Sequence, residues 1–158
     1  MRRDYSRRAL EWSLMLVVVL IVIGYFFREF RSVQAQGEMA AVKTTLGSLR
    51  TSLLFDFLKR QAERTDVSVL VERNPFLLLD HLPGNYAGAL ASAKGQVMQP
   101  GTWVFDSFCY CIGYEPMYPY GLNTPDDART IWFRISPPPG PLQINPMQNY
   151  QWAGQPVD

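Results

Sequence analysis

Histidine and cysteine are scarce in this 158-residue chain, which contains one His and two Cys. Two Cys exclude a multi-disulfide scaffold and a four-thiolate zinc site, and one His excludes a histidine-rich metal site. Charged residues make up only 18% of the chain and the net charge is +1, which argues against a basic nucleic-acid-binding protein. Because 47% of the residues are apolar, wholesale disorder is excluded as well. The length suits one domain.

Charge is absent altogether from residues 12–27, which read WSLMLVVVLIVIGYFF. As a helix this run covers about 24 Å, against roughly 30 Å for the hydrocarbon of a bilayer. A buried core helix seldom lacks a polar face over such a length. A signal peptide needs small residues at its exit, where this chain reads GYFFREF. We therefore predict a retained transmembrane helix over residues 11–31.

The residues that flank this segment predict its orientation. Four arginines precede it, against two acidic residues. The positive-inside rule then makes residues 1–10 a basic cytoplasmic arm and places the rest of the chain on the other side of the membrane. From Ser32 onward the chain has nine basic and eleven acidic residues, a net charge of −2, which is typical of an ordinary soluble surface.

Proline does not occur before Pro75, so nothing forces a break in a helix that starts near Glu11. Beyond the membrane, apolar residues recur at spacings of three and four and form one helical stripe: Val42, Leu46, Leu49, Leu53 and Phe57. We predict an amphipathic continuation of the helix over residues 32–64. Gly37 and Gly47 each cost roughly 1 kcal/mol against Ala, and the alternative is a short anchor and a separate helix, with the break near Gly37.

The remaining chain divides into a globular head, residues 65–136, and a Pro-rich tail, residues 137–158, which we expect to be irregular. Val67–Val71 is either a strand or the end of the helix. Strand composition marks the segment after Pro100-Gly101 and residues 129–136. The predicted fold class is α+β, in which the long N-terminal helix packs on a small antiparallel sheet.

This organisation resembles the type IV pilins and the pseudopilins of type II secretion. The resemblance is carried by Ala9-Leu10-Glu11, the apolar run after it and the helix through Gln61. The segment NPFLLLDHLPGNYAG, then PGTWVFD and a strand that ends in RISP, is similar to accessory, minor pilin-like proteins of the mannose-sensitive haemagglutinin pilus group. The resemblance covers most of residues 9–136. It implies a pilin-like fold.

The resemblance also implies roles for residues near the membrane. In the family, the Glu that opens the helix pairs with the free N-terminal amine of a neighbouring subunit, a role that falls to Glu11. This sequence has Ser6 where pilin precursors carry Gly and Arg7 at the position that opens the mature chain, so processing is not expected. Glu11 could instead pair with Arg7 or Arg8 on the same helix, or remain solvated among the headgroups. Trp12, Leu16 and Leu20 would pack against lipid or other subunits.

Three groups in the head are candidate sites. Cys109 and Cys111 would share one face of a strand as unbonded core residues, or form a labile redox pair or half of a metal site. Asp126 and Asp127, with Asn123 and Asp106, are weak calcium candidates, whereas His81 beside Asp80 lacks a catalytic partner. Aromatic residues and Met form a candidate head interface or, alternatively, core packing: Trp103, Tyr110, Tyr114, Met117 and Tyr118.

The function expected from these observations is structural. We expect a non-enzymatic pilin-like protein of a bacterial inner membrane, with a single span and a periplasmic head, that serves a type IV pilus or a type II secretion pseudopilus. Its partners would be other pilin or pilus-assembly subunits and the lipid bilayer, with no cofactor, nucleic acid or small-molecule substrate. The alternative is a membrane-anchored periplasmic redox or metal-binding protein that uses Cys109 and Cys111.

Overall fold

The computed structural model describes residues 2–93, 96–125, 128–137 and 142–158, and within the first helix it describes side chains from Arg8 onward, Ala9 excepted. A single helix, α1, runs without a break from Arg2 to Ala62. It passes through Gly37 and Gly47, and at neither position does an atom outside the adjacent helix backbone lie within 4 Å of where a Cβ would stand. The alternative of a break near Gly37 is therefore wrong.

The C-terminal half of α1 is the part that the head covers. Its buried side chains follow the predicted stripe and extend it toward the N-terminus: Ala35, Met39, Val42, Leu46, Leu49, Leu53 and Phe57. Leu54 and Leu58 lie off this stripe and are exposed. The amphipathic continuation of the helix is confirmed, and its apolar face forms one side of the main core.

Short elements lead from the helix to the sheet. Helix α2 spans Val69–Glu72, and a 3-10 helix spans Pro75–Leu78. The Asn74 side chain accepts a hydrogen bond from the Phe76 backbone N–H and so caps the 3-10 helix. Both expectations for Val67–Val71, a strand or the end of the long helix, are wrong, since α1 ends at Ala62 and the segment leads into the separate helix α2, which buries Leu70.

The head contains a five-stranded sheet in the order β1-β2-β3-β4-β5. Strand β1 pairs in parallel with β2, whereas the other neighbours are antiparallel, so the sheet is mixed and not antiparallel as predicted. The α+β class holds. The strands are β1 Tyr86–Leu90, β2 Thr102–Asp106, β3 Cys111–Glu115, β4 Ile131–Ile135 and β5 Ile144–Pro146.

The tail is not irregular in its described part, residues 142–158. It contributes β5 to the main sheet and then forms a small hairpin from β6, Gln151–Trp152, and β7, Gln155–Pro156. Trp152 and Val157 are buried in the main core. The Arg50 guanidinium donates to the Ile144 carbonyl through Nε at 3.2 Å and Nη2 at 2.8 Å, which ties α1 to β5. The tail forms regular structure because its apolar residues complete the core, although its prolines predict an irregular segment.

The sheet separates two apolar clusters. Its inner face packs on α1 and includes Trp103, Ile112 and Phe133. Its outer face carries a smaller cluster, in which Val104, Cys111 and Trp132 are covered by Ala93 and Met98. Because side chains alternate along a strand, each central strand contributes to both clusters.

Candidate functional site

The first half of α1 has no cover from the rest of the chain. All the side chains described from Arg8 to Arg31 are exposed, among them Glu11, Trp12, Leu16 and Leu20. The helix is long and apolar enough to cross a membrane. The predicted membrane-level residues are therefore free to contact lipid or another protein. The side chain of Arg7, one of the two predicted partners of Glu11, lies outside the described residues.

A carboxylate just beyond that segment joins the helix to the head. Glu38 accepts the hydroxyl hydrogen bond of Tyr114 through Oε1 at 2.6 Å. The same carboxylate accepts the backbone N–H of Met117 at 2.7 Å and of Tyr118 at 2.7 Å. Trp152 then donates its indole N–H to the Tyr118 carbonyl at 3.1 Å. We call this arrangement the Glu38 clamp, and it fixes the segment after β3 against the helix.

The Glu38 clamp predicts a loss of stability at alkaline pH. Burial, the hydrogen bond to Glu38 and the charge of Glu38 all raise the pKa of Tyr114 above its ordinary value. The unfolded chain would ionise this phenol near pH 10, roughly its unperturbed pKa. The stability that Tyr114 contributes is therefore complete below about pH 10 and falls as the pH rises further, by up to about 1.4 kcal/mol per unit.

The measurement is the melting temperature of the full chain in detergent between pH 8 and 11.5. We expect Tyr114→Phe to show a flatter decline above pH 10 than the parent chain, because Phe has no proton to lose. Tyr118→Phe, which alters an exposed ring, serves as the control. Parallel declines in all three chains would contradict the assignment.

The predicted aromatic interface is divided by the fold. Trp103 and Tyr114 are buried, with ring centroids 4.6 Å apart, so they stabilise the core and do not form a contact surface. Met117 and Tyr118 are exposed beside the Glu38 clamp. Tyr110 is also exposed, but it lies at the opposite end of β3. One predicted cluster therefore becomes a core pair and two separate exposed sites.

The turn between β2 and β3, residues 107–110, is held by its own covalent and polar contacts, and we call it the hairpin tip. Cys109 and Cys111 form a disulfide with Cα atoms 5.2 Å apart, so the prediction of two unbonded core residues on one strand is wrong. Asp106 accepts the backbone N–H of Phe108 at 2.8 Å through Oδ1 and that of Ala93 at 2.7 Å through Oδ2. This rigid tip presents Phe108, which is 82% exposed.

A cavity of about 770 Å³ opens on the outer face of the sheet, at the other end of the β2–β3 hairpin. The ring of Trp132 forms the floor of this cavity and lies against Gly113. Only glycine fits there, because a Cβ at this position would stand 2.7 Å from the Trp132 ring. Thr130 donates to Glu115 Oε2 at 2.6 Å. Its lining includes Met98, Glu115, Arg129, Trp132, Met147 and Tyr150.

The predicted metal-binding and acid–base residues that the structure describes do not form a metal or acid–base site. Asp126 and Asp127 lie outside the described residues. Asp106 is buried and its carboxylate accepts backbone N–H groups, which is a capping role. A carboxylate oxygen of Asp106 and both sulfurs lie within 4.8 Å of one another, but the disulfide occupies the thiolates that a metal would need. His81 is exposed on a loop.

Sequence reasoning missed Glu38, Phe108 and Glu115. Glu38 immediately precedes the buried Met39, and an acidic residue that borders an apolar stripe was a usable signal. The sequence contains no comparable signal for Phe108 or Glu115, because their positions depend on where the β2–β3 hairpin turns and on which loop covers the sheet.

No family model, characterised protein or solved structure matches this chain.

Proposed function

We propose that this chain is a pilin-like, membrane-anchored structural or accessory protein that acts through protein–protein contacts. It would serve a type IV pilus, similar to the mannose-sensitive haemagglutinin pilus, or a type II secretion pseudopilus. It would cross a bacterial inner membrane once, with residues 1–10 in the cytoplasm and the head in the periplasm.

The observation that carries this proposal is the division of α1 into an uncovered apolar half and a half that is packed on the head. An apolar helical surface must be buried in lipid or against other helices. Because α1 has no break, a contact made by the membrane half is transmitted rigidly to the head. The Glu38 clamp and the bond from Arg50 to β5 keep the head in a fixed position on that helix.

Glu11 has a specific role in this proposal. Its carboxylate stands at the edge of the apolar run and is exposed. An ionisable group at this depth is costly unless it is paired, which favours a partner. Arg8 is exposed one turn before it and can pair with it within a chain. Between chains, a cationic group on a neighbouring subunit would pair with Glu11 in place of Arg8.

The alternative is a membrane-anchored redox or metal-binding protein. Its support is the disulfide between Cys109 and Cys111, together with the half-exposed position of Cys109. Disulfides persist in oxidising compartments such as the periplasm. In this alternative the pair would exchange with thiols of other envelope proteins.

Deletion of the gene separates the two proposals. We expect loss of surface fibres or of type II secretion, seen by electron microscopy and by assay of secreted proteins, with restoration by the intact chain. The thiol state of other envelope proteins, measured by alkylation and mass shift, should remain unchanged. Normal fibres and secretion would reject the structural proposal, and altered thiol states in the same strain would support the redox alternative.

A further inference from the structure

The hairpin tip and the outer cavity lie at opposite ends of the same two strands. The tip joins Asp106 to Cys111, whereas the cavity is lined at the far end of β3 by Glu115. Four residue steps along β3 correspond to about 14 Å. The tip is therefore fixed away from the cavity of its own molecule, and only a second molecule can bring the two together.

We propose that the hairpin tip of one copy inserts Phe108 into the outer cavity of a second copy. The inference rests on the proposed function and deepens it, because it names the partner as the same chain and identifies the contact. Every copy offers one tip and one cavity on different surfaces. The contact is thus heterologous and leaves a free tip and a free cavity at the two ends, which permits an open chain of copies.

The chemistry of the two surfaces is complementary. An exposed Phe on a rigid turn loses little conformational freedom when it is buried, so it is a suitable anchor. The cavity offers the thioethers of Met98 and Met147, which make favourable contacts with aromatic rings. It also offers the Trp132 ring as a floor. Arg129 at the cavity can stack on an inserted ring as a cation–π pair.

Polar groups match as well. Among the described residues, the Glu115 carboxylate accepts a side-chain hydrogen bond only at Oε2, and no buried side-chain oxygen or nitrogen is left unpaired. Oε1 therefore keeps some exposure, at a residue that lines the cavity. The Tyr110 hydroxyl, two residues from Phe108, can donate to it. Arg134 is exposed beside Cys111 at the tip end and can pair with Glu115. Arg129 lines the same cavity, so the match is between these two groups and not between the net charges of the two surfaces.

The contact requires the two copies to be displaced along the helix axis. Glu38 touches the cavity end of β3 through Tyr114, whereas Arg50 touches Ile144, whose β4 partner Ile135 lies at the tip end. Twelve helical residues separate these two points, which is about 18 Å. Two copies at equal depth in one bilayer cannot meet in this way, but copies that rise in a growing fibre can.

The first test uses the full chain in detergent, with the photocrosslinking residue benzoylphenylalanine in place of Phe108. We expect a crosslinked dimer whose second site maps to the cavity, at Met98, Met147 or Trp132. The matched control carries the same group in place of Phe55, a 73% exposed Phe on α1, and should give no such product. Crosslinks from position 108 only to other surfaces, or none to a second copy, would overturn the proposal.

The second test uses complementary variants. Phe108→Ala removes the anchor, and Val97→Trp obstructs the cavity mouth at a fully exposed residue, where folding is not at risk. Each variant alone should self-associate at least about tenfold more weakly in analytical ultracentrifugation. A 1:1 mixture should restore dimers but no longer chains, because one intact tip and one intact cavity remain. Met147→Gln provides a second cavity variant, and Phe55→Ala should associate as the parent chain does.

The outcomes distinguish this inference from the proposed function. Unchanged association of Phe108→Ala, or a mixture that fails to form dimers, rejects the tip-to-cavity contact. If deletion abolishes fibres but Phe108→Ala restores them fully, the contact is rejected and the structural function stands. If the contact forms in detergent and deletion leaves fibres and secretion normal, the contact stands and the proposed function is rejected.

Discussion

Replacing Leu16 and Leu20 together by arginine should release the chain from the membrane. Both side chains are exposed on one face of the apolar half of α1. An arginine near the centre of a transmembrane helix costs about 2.5–3.5 kcal/mol on insertion scales, so two cost roughly 5–7 kcal/mol. The measurement is the fraction of full chain that stays with membranes after alkaline carbonate extraction.

The matched control for this experiment lies on the same helix. Leu54 and Leu58 have the same spacing and are also exposed, at 46% and 53%, but they lie beyond the apolar segment. Leu54→Arg with Leu58→Arg should leave membrane association unchanged. If both double variants were retained equally, residues 12–27 would not be the anchor, and the proposed function would lose its basis.

Removal of the Glu38 carboxylate should destabilise the head and release the segment after β3. Glu38→Ala removes the acceptor of three hydrogen bonds and leaves the buried Tyr114 hydroxyl without its partner. Hydrogen bonds to charged groups contribute about 1.5–3 kcal/mol each when buried, and two of these involve residues with exposed side chains. We therefore expect a total loss of about 3 kcal/mol from the free energy of unfolding.

The measurement is urea denaturation of the full chain in detergent, followed by tryptophan fluorescence. Tyr114→Phe removes one of the three bonds and should cost about 1.5 kcal/mol, the lower end of the range for a bond to a charged group. Glu63→Ala, at an exposed residue near the helix end, should cost almost nothing. Proteolysis should cut residues 116–122 faster in Glu38→Ala only. Equal midpoints for the Glu38 and Glu63 variants would show that the clamp does not hold the head on the helix.

The Glu38 clamp also connects stability with the proposed assembly. A head that swings on its helix cannot carry a fixed displacement from the membrane segment to the hairpin tip. Glu38→Ala should therefore reduce the ordered chain growth expected of the tip-to-cavity contact, even though Phe108 and the cavity are intact. The clamp is a positioning feature, since Glu38 lies in neither surface.

The secondary structure that depends on neighbouring residues could be predicted from the sequence. Val42, Leu46, Leu49, Leu53 and Phe57 predicted the buried face of α1, since residues three and four apart lie on one side of a helix whatever covers them. Residues 129–136 likewise predicted β4, whose Ile131, Phe133 and Ile135 alternate toward the core. The apolar run of residues 12–27 predicted a helix able to cross a membrane, and α1 contains it.

The sites depended on contacts between distant parts of the chain. Alternation put Trp103 and Tyr114 on definite faces of their strands, but only the docking of α1 made that face the core. The position of the turn between β2 and β3 left Phe108 in solvent. The prolines of the tail predicted irregular structure, yet pairing of β5 with β4 and burial of Trp152 outweigh that preference. Hydrophobic periodicity is set by neighbours in sequence, so the sequence by itself determined the helix, its apolar run long enough to cross a membrane, and its buried stripe. The Glu38 clamp and the cavity join segments far apart along the chain, and only tertiary packing decides which of these meet.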